Sequence, residues 1–436
     1  MYQKPLDRLR IFSLKGVQMR TFHITWLMFF VCFFGWFGLA PLMPTIRADL
    51  RLTKAQVGNL IIASVASTVV ARLVIGRLCD LWGPRRTAIR LLVFGAIPVI
   101  LVGLSRDYAT FLLFRLCIGV IGASFVITQC HTSLMFAPHL KGTANALTGG
   151  WGNLGGGVTN IVMPLVFAAI VGMGYTPHAA WRYAMILPGV MMLGVAVLYA
   201  RYTTDTPRGN FADVGYPGGS RPPLDWKILA DSRVWVLALA YAMCFGMELT
   251  FDNVASLHFT DTFHLPQAAA GLWAGVFGSM NLFARALGGF GSDKVGNRFG
   301  LRGKGLFLAG ALALEGVGLV LFAGAATLPG AIALMLCFAL FLKMANGGTF
   351  GIVPFVNTRN VGLVSGVVGA GGNLGGVLFG FLFKSSDLTY AQSFRWIGVT
   401  VLAVSGIVAL TRFGPRATWR RKPEGVVFVE EEGAFV

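Results

Sequence analysis

Two arginines lie inside apolar stretches of the chain, where a charged side chain is costly. Arg72 and Arg285 each precede a glycine by four residues and are displaced from one another by 213 residues. A guanidinium group is planar, permanently charged and offers a fork of donors, so two of them facing one cavity suit a small planar oxyanion. Nitrate and nitrite fit that description. The alternative is that each arginine extends to the surface or pairs with a nearby acid.

One face of a later apolar stretch carries two acids in register with two aromatic residues. Tyr241, Phe245, Glu248 and Asp252 follow the spacing i, i+4, i+7 and i+11, which places them on one side of a helix. Carboxylates inside an apolar helix mark proton relays or partners of buried arginines. If Tyr241 faces a central cavity, the two acids face it too.

Another apolar stretch adds two further ionisable groups, His131 and Arg115. We predict that Glu248 takes up a proton, with Asp252 or His131 assisting. The alternative is a static ion pair, in which Glu248 or Asp252 neutralises Arg115 or a binding arginine that holds no anion.

The composition indicates that lipid is the main solvent of this chain. Of its 436 residues 55% are hydrophobic and only 12% are charged, whereas a soluble domain carries about 25% charged residues. Only helices and closed barrels satisfy the backbone in lipid, and the continuous apolar runs here have helix length. The net charge of +18 comes from basic residues clustered in short loops, the positive-inside pattern, which argues against nucleic-acid binding.

Apolar runs predict an all-α membrane protein of twelve transmembrane helices in two pseudo-symmetric six-helix bundles. Basic loops at both 2–3 and 8–9 junctions place the protein in the cytoplasmic membrane with both termini inside. The predicted parts are an N-terminal half (1–202), a central cytoplasmic linker (203–232), a C-terminal half (233–413) and a cytoplasmic tail (414–436). The predicted spans are 23–45, 56–79, 86–104, 109–136, 143–172, 181–201, 233–258, 268–291, 304–325, 329–350, 361–384 and 391–412.

The two halves repeat each other in sequence. Gly-Asn-Leu-Gly-Gly occurs twice, beginning at Gly152 and at Gly372, and a turn before each arginine stand Thr68 and Asn281, also 213 residues apart. Repeated halves are typical of transporters, whose substrate site lies near the midplane between the repeats. Close helix packing is the simpler explanation of the glycines, but it does not explain the asparagines.

A second repeated unit resembles the loop motif of the major facilitator superfamily. In that family the motif staples the loop between spans 2 and 3, and its role is conformational. The match is complete in the first half and partial in the second. The residues that carry it are Gly76, Asp80, Gly83, Arg85, Gly289 and Asp293.

The doubled glycine-asparagine segments resemble the two nitrate signatures of the nitrate/nitrite porter family. The resemblance implies that Arg72 and Arg285 clamp the anion, and that Asn153 and Asn373 line its path on spans 5 and 11. It also implies pocket roles for Phe125, Tyr241 and Phe245, with Trp36 or Phe37 contributed by span 1. Ordinary packing or lipid-facing positions are the alternative for these aromatic residues.

The string from Glu248 to Asn253 resembles the assimilatory nitrate-uptake branch of that family, and Arg115 resembles the span 4 arginine of proton-coupled members. The resemblance therefore implies a proton symporter of nitrate or nitrite. The alternatives are a nitrate/nitrite antiporter, a carrier of another small anion, and a nitrate receptor. We expect no enzyme activity, no cofactor and no metal, because no nucleophile-base set or metal-ligand spacing is present. A monomer in the bilayer is expected.

Overall fold

The computed structural model describes residues 5–6, 9, 11–214, 229–356, 361–385 and 387–413. The tail predicted at 414–436, the linker residues 215–228 and the side chain of Asp80 lie outside the described residues. Eleven stretches are long and apolar enough to cross a membrane, and one of them, Gln267–Ala323, has 57 residues. At 1.5 Å per residue that stretch is long enough for two crossings, which gives twelve.

The first six spans form one helical bundle. Span 2 begins at a capping box in which Thr53 and Gln56 exchange side-chain and backbone hydrogen bonds, and it ends at Gly83, whose φ of 82° suits glycine. Span 4 is divided by a 3-10 turn at Val120–Ala123. The helices are Val17–Phe37, Lys54–Trp82, Pro84–Leu101, Tyr108–Gly119 with Ser124–Met135, Pro138–Gly172, and Pro177–Ala184 with Ile186–Tyr202.

The last six spans form the second bundle. Spans 8 and 9 run on as one helical stretch that is broken at Gly300, where φ is 64° and ψ is −158°. Span 8 starts at Gln267 and span 9 ends at Ala323, close to the predicted limits. The helices are Ser232–Phe263, Gln267–Ser279, Ala284–Ala323 with the break at Gly300, Leu328–Phe350, Val361–Lys384 and Tyr390–Leu410.

Glycines allow the two bundles to approach at spans 5 and 8. A Cβ atom on Gly157 would come within 2.5 Å of the Gly278 backbone, and one on Gly278 within 2.2 Å of Gly157. Small residues at such crossings are the usual means of helix association in membranes. Spans 2 and 11 make the second contact between the bundles, so four helices enclose the region between them.

The two ends of the molecule differ in their loops. The basic end, as we call it, carries Arg85, Arg86 and Arg298, whereas the opposite end carries the short helix Met43–Asp49 after span 1. At the opposite end Arg47 donates two hydrogen bonds of 2.7 Å to Asp261, at the end of span 7. This bidentate pair ties one bundle to the other.

Candidate functional site

Arg72 extends from span 2 into the gap between the bundles and contacts span 11. Its Nη1 donates to the Gly369 carbonyl at 3.3 Å, and with the Asn373 amide oxygen turned toward it, Nε and Nη1 donate at 3.2 and 2.5 Å. That amide orientation satisfies both groups. Nη2 has no hydrogen-bond partner among the described residues. The side chain does not extend to the surface and has no acidic partner in the described part of the chain.

Arg285 holds the equivalent place in the second bundle. Its Nη2 donates to the Tyr241 hydroxyl at 3.2 Å, and like Arg72 it is 9% exposed. Phe245 lies against both arginines, because the guanidinium carbons of Arg72 and Arg285 stand 5.9 and 5.8 Å from its ring centroid. The two predicted arginines therefore converge on one ring.

Aromatic rings surround the two guanidinium groups. Tyr241 and Phe245 stack with their centroids 4.9 Å apart and their planes at 4°, and Phe350 meets Tyr241 edge-on at 5.0 Å. Phe125 lies 5.3 Å from the Arg72 guanidinium carbon on the other side. These cation–π contacts offset part of the cost of burying two cations.

Span 1 contributes a different ring from the two considered in the sequence. Phe29 packs on Phe125 at 5.6 Å, whereas the Trp36 indole donates to the Ser64 hydroxyl at 2.7 Å. Phe37 lies beside Gly156 of span 5. Neither Trp36 nor Phe37 has a cation–π contact with either arginine within the described ranges.

The two signature segments have different surroundings. Asn373 is the partner of Arg72, but Asn153 is 2% exposed and neither its Nδ2 nor its Oδ1 has a partner among the described residues. Burying an amide without hydrogen bonds costs several kcal/mol in an apolar medium, about 1–3 kcal/mol by mutational measurements. Asn153 is thus available to bind a polar ligand in the gap.

The neighbouring glycines provide close packing. A Cβ on Gly372 would come within 2.6 Å of the Tyr241 ring, and one on Gly152 within 1.9 Å of the Phe29 ring. Gly375 brings span 11 against the Ala242 carbonyl of span 7, at 2.2 Å from the same test atom. The packing explanation of the glycines and the polar role of the asparagines are compatible.

Glu248 is the centre of a buried polar cluster in the second bundle. It accepts hydrogen bonds from Asn281 at 2.6 Å and from Lys343 at 3.0 Å on Oε1, and from Asn346 at 2.6 Å on Oε2. Lys343 and Asn346 belong to span 10 and are fully buried. Arg285 is close enough to interact electrostatically with Glu248, so the cluster adjoins the arginine pair.

Glu248 thus has an ion-pair partner that the sequence analysis did not name. The predicted alternatives were Arg115 or a binding arginine, and the observed partner is Lys343. Proton uptake at Glu248 stays a prediction. Asp252, one turn further along span 7, is 4% exposed, and its Oδ1 has no partner in the described part of the chain.

Arg115 and His131 lie apart from this cluster. Arg115 donates to the Trp36 carbonyl at 3.2 Å and to Asn253 Oδ1 at 3.1 Å, which joins span 4 to span 7 of the other bundle. His131 binds the Tyr199 hydroxyl through Nδ1 and the Thr204 carbonyl through Nε2. The structure therefore places His131 within the first bundle, with no contact to Glu248.

Sequence reasoning missed Lys343, Asn346 and Glu315. Each is a polar residue inside a predicted span, 329–350 or 304–325, and a charge at membrane depth is the signal that should have identified the first and the last. Glu315 is fully buried on span 9, and neither of its carboxylate oxygens has a hydrogen-bond partner among the residues described.

The loop motif at the basic end is held by a residue after span 6. Asp205 accepts from the Arg85 backbone N–H at 2.8 Å and surrounds Gly83, where a Cβ would lie 2.5 Å from its carboxylate. Burial raises the pKa of Asp205, against the opposing hydrogen bonds from the backbone of Arg85 and Phe211. The carboxylate caps the start of span 3.

Further parts of the motif have simpler environments. The Arg85 guanidinium donates to the Ala200 carbonyl, and Asp293 pairs with Lys304 across the Gly300 break. A Cβ on Gly76 would meet only a Val126 methyl at 3.7 Å, and one on Gly289 would meet nothing within 4 Å. These contacts connect the ends of neighbouring spans.

Comparison with known proteins gives the class of this chain. A family model described as Major Facilitator Superfamily matches residues 25–380. The fold is similar to that of a bacterial homolog of the human lysosomal transporter Spinster in an inward-facing and occupied conformation, with a TM-score of 0.69 and 16% identity over 91% of this chain and 96% of that one. Twelve spans in two repeated bundles and this match define a membrane transporter of the major facilitator superfamily, and not an enzyme.

Relatives in sequence define the family within that class. The chain is 40% identical over 410 residues to high affinity nitrate transporter 2.5 of Arabidopsis thaliana, which covers 93% of this chain and 82% of that protein. It is 30% identical over 511 residues to the nitrate/nitrite transporter NrtP of a Picosynechococcus species, over 92% and 94% of the two chains. The chain belongs to the nitrate/nitrite porter family.

Proposed function

We propose that this protein is a secondary active transporter that imports nitrate across the cytoplasmic membrane by proton symport. The observation that carries the proposal is the convergence of Arg72 and Arg285 on the Phe245 ring. Two buried cations at this separation repel each other, and an anion between them removes that cost. The names of the curated relatives, which are nitrate and nitrate/nitrite transporters, support the same substrate.

Nitrate fits the donors that the site leaves open. It is planar, carries one charge and accepts parallel hydrogen bonds from a guanidinium fork. Arg72 Nη2 and Asn153 Nδ2 are unpartnered among the described residues, and the flat faces of Tyr241 and Phe245 suit a flat ligand. Nitrite offers the same charge with fewer acceptors, so the number of satisfied donors favours nitrate.

Transport would proceed by alternating access of the two bundles. The Arg47–Asp261 pair closes the opposite end, so this end must open for substrate to enter from that side. We propose that the basic end is cytoplasmic, with the chain divided into halves at 1–202 and 233–413 and with both termini on the cytoplasmic side, because Lys and Arg concentrate in the loops of that end. Anion binding would draw Arg72 and Arg285, and so the bundles, together.

Proton coupling is the energetic requirement of import. Moving a monovalent anion into a negatively polarised cell costs about 2.3 kcal/mol per 100 mV, and two accompanying protons would reverse the sign of the net charge moved. The buried acids of the second bundle, Glu248 and Asp252, are the groups from the predicted set that lie beside the arginine site. They are therefore the candidates for this coupling.

Nitrate/nitrite exchange is the second candidate function. It is favoured by one observation, the Lys343–Glu248 ion pair, because a carboxylate already neutralised in place need not bind a proton. An exchanger would cycle only when an anion occupies the site on each side.

Uptake into proteoliposomes distinguishes these functions. Purified protein is reconstituted with no internal anion substrate, and nitrate uptake is measured with and without an inward proton gradient. Accumulation that depends on the gradient supports symport, and uptake that requires internal nitrite supports exchange. Failure of both anions to be taken up by folded protein would contradict the substrate assignment.

A further inference from the structure

Span 9 buries an acidic side chain that the anion site does not use. Glu315 is 0% exposed, and both of its carboxylate oxygens lack hydrogen-bond partners within the described ranges. An ionised carboxylate in apolar surroundings without partners is prohibitively costly, and such a group becomes neutral instead. The geometry of Glu315 is therefore that of a protonated acid.

The position of Glu315 connects it to the cluster around Glu248. Lys343 of span 10 and Glu248 of span 7 are both close enough to interact electrostatically with Glu315, as is Cys244 of span 7. Span 12 packs on span 9 at this level through Gly398 and Leu402, and its residues 396–410 include no titratable side chain. Lys343 is thus the cation that faces Glu315.

Lys343 has two possible anionic partners but is bound to one of them. Its Nζ donates to Glu248 Oε1 at 3.0 Å and lies 4.3 Å from the Phe277 ring centroid. Asp252 also interacts electrostatically with Lys343 and Glu248. With Glu248, Asp252 and Glu315 all ionised, three negative charges would face the two positive charges of Lys343 and Arg285. One proton balances this cluster.

We propose that Glu315 is the proton-binding residue of this transporter and that Lys343 transmits its charge state to the anion site. This proposal rests on the proton symport proposed above. When the Glu315 carboxyl gives its proton to water, the new carboxylate attracts Lys343 away from Glu248. Glu248 then turns its charge toward Arg285 and competes with the bound anion. No other bond is made or broken in this step.

The order of events explains why anion and proton would move together. While Glu315 is protonated, Lys343 neutralises Glu248 and leaves Arg285 free to bind an anion. Loss of the proton on the side of release weakens the anion site, and uptake of a proton on the other side restores it. Two ligands that bind one state in preference to the other are coupled in this reciprocal way.

The test compares wild-type protein with Glu315→Gln in proteoliposomes. Glutamine imitates the protonated acid, so we expect nitrate/nitrate exchange at equal pH to persist. Gradient-driven accumulation should fall to a ratio near one, whereas wild type should gain about tenfold per coupled proton for each unit of pH gradient. Asp213→Asn, which removes an exposed acid at the basic end, is the control and should behave as wild type.

The outcomes separate this proposal from the one on which it rests. If wild type accumulates nitrate on the gradient and Glu315→Gln does so equally, the assignment of Glu315 is wrong while symport stands. If wild type shows no gradient-driven accumulation, symport itself is wrong.

A second measurement applies if Glu315→Gln does not fold. The infrared band of a protonated carboxylic acid in wild type should disappear as the pH rises, and it should shift in Glu315→Asp, which retains an acid and should retain accumulation. A band that is unchanged in Glu315→Asp would overturn the proposal.

Discussion

The two bundles are alike at the anion site and unlike behind it. Each contributes one arginine, 213 residues apart, to the same aromatic ring. The equivalence ends in spans 4 and 10, where the displacement of Gly122 and Gly347 places Ile118 and Ile121 opposite Lys343 and Asn346. All four are buried. The duplicated residues therefore hold the substrate, and the residues found in only one copy are available to couple its movement to a second ion.

This contrast assigns different physical roles to the halves. A symmetric pair of donors can bind an anion equally well from either side, which is what alternating access requires. A proton-linked step requires a group that changes charge, and it is enough to have it in one bundle. Each prediction below compares a residue with its counterpart in the other half.

The largest effect is expected from breaking the buried ion pair. Lys343→Met leaves Glu248 buried without its cation, which should lower stability by about 3–5 kcal/mol, whereas Ile118→Met at the equivalent position should cost less than about 1.5 kcal/mol. Thermal unfolding in detergent measures both. The double variant Lys343→Met with Glu248→Gln should recover most of the loss, and no recovery would mean that the pair is not the cause.

Replacing either binding arginine should affect affinity more than stability. Arg72→Lys and Arg285→Lys keep the charge but lose the fork of donors, and a charged hydrogen bond is worth about 1.5–3 kcal/mol, or roughly 10- to 150-fold in the nitrate dissociation constant. Arg90→Lys is the control, because Arg90 stacks on Trp82 at 4.0 Å outside the site. If only one of the two site variants loses affinity, the symmetric clamp is wrong.

The glycine pair should separate packing from binding. Gly152→Ala and Gly372→Ala both introduce a methyl group that meets an aromatic ring, and overpacking of this kind costs about 1–3 kcal/mol. Gly372→Ala also displaces Tyr241 and Phe245, so it should weaken nitrate binding, while Gly152→Ala presses on Phe29. Equal effects of both on nitrate binding would show that the first segment forms part of the pocket to the same degree.

Much of the fold was accessible from the sequence, because lipid restricts it to apolar helices of fixed length. The predicted number of spans and the two bundles are confirmed by the family match and the helical structure. The helix limits are less regular than the predicted ones. Span 5 begins at Pro138 instead of 143, and spans 8 and 9 form a continuous stretch broken only at Gly300, because hydropathy does not report where a helix continues into a loop.

The site was accessible only where residues were repeated. Arg72 and Arg285 were identified by their shared displacement, and the family resemblance added the asparagines and rings. Glu315 and Lys343 have no counterpart in the first half, and contacts between spans 7, 9 and 10 depend on helix rotations that periodicity does not determine. The partner of Glu248 could not be chosen from sequence for that reason.

The smallest effect on stability, and the sharpest comparison, should come from the asparagines of the two identical segments. Asn373→Ala removes the oxygen that accepts from Arg72 and should cost about 1 kcal/mol or more of stability. Asn153 has no hydrogen-bond partner among the described residues, so Asn153→Ala should change stability by about 0.5 kcal/mol or less. Titration of nitrate against each variant measures binding separately. If Asn153 donates to the anion, Asn153→Ala should weaken nitrate several-fold at unchanged stability, and unchanged binding would place Asn153 outside the site.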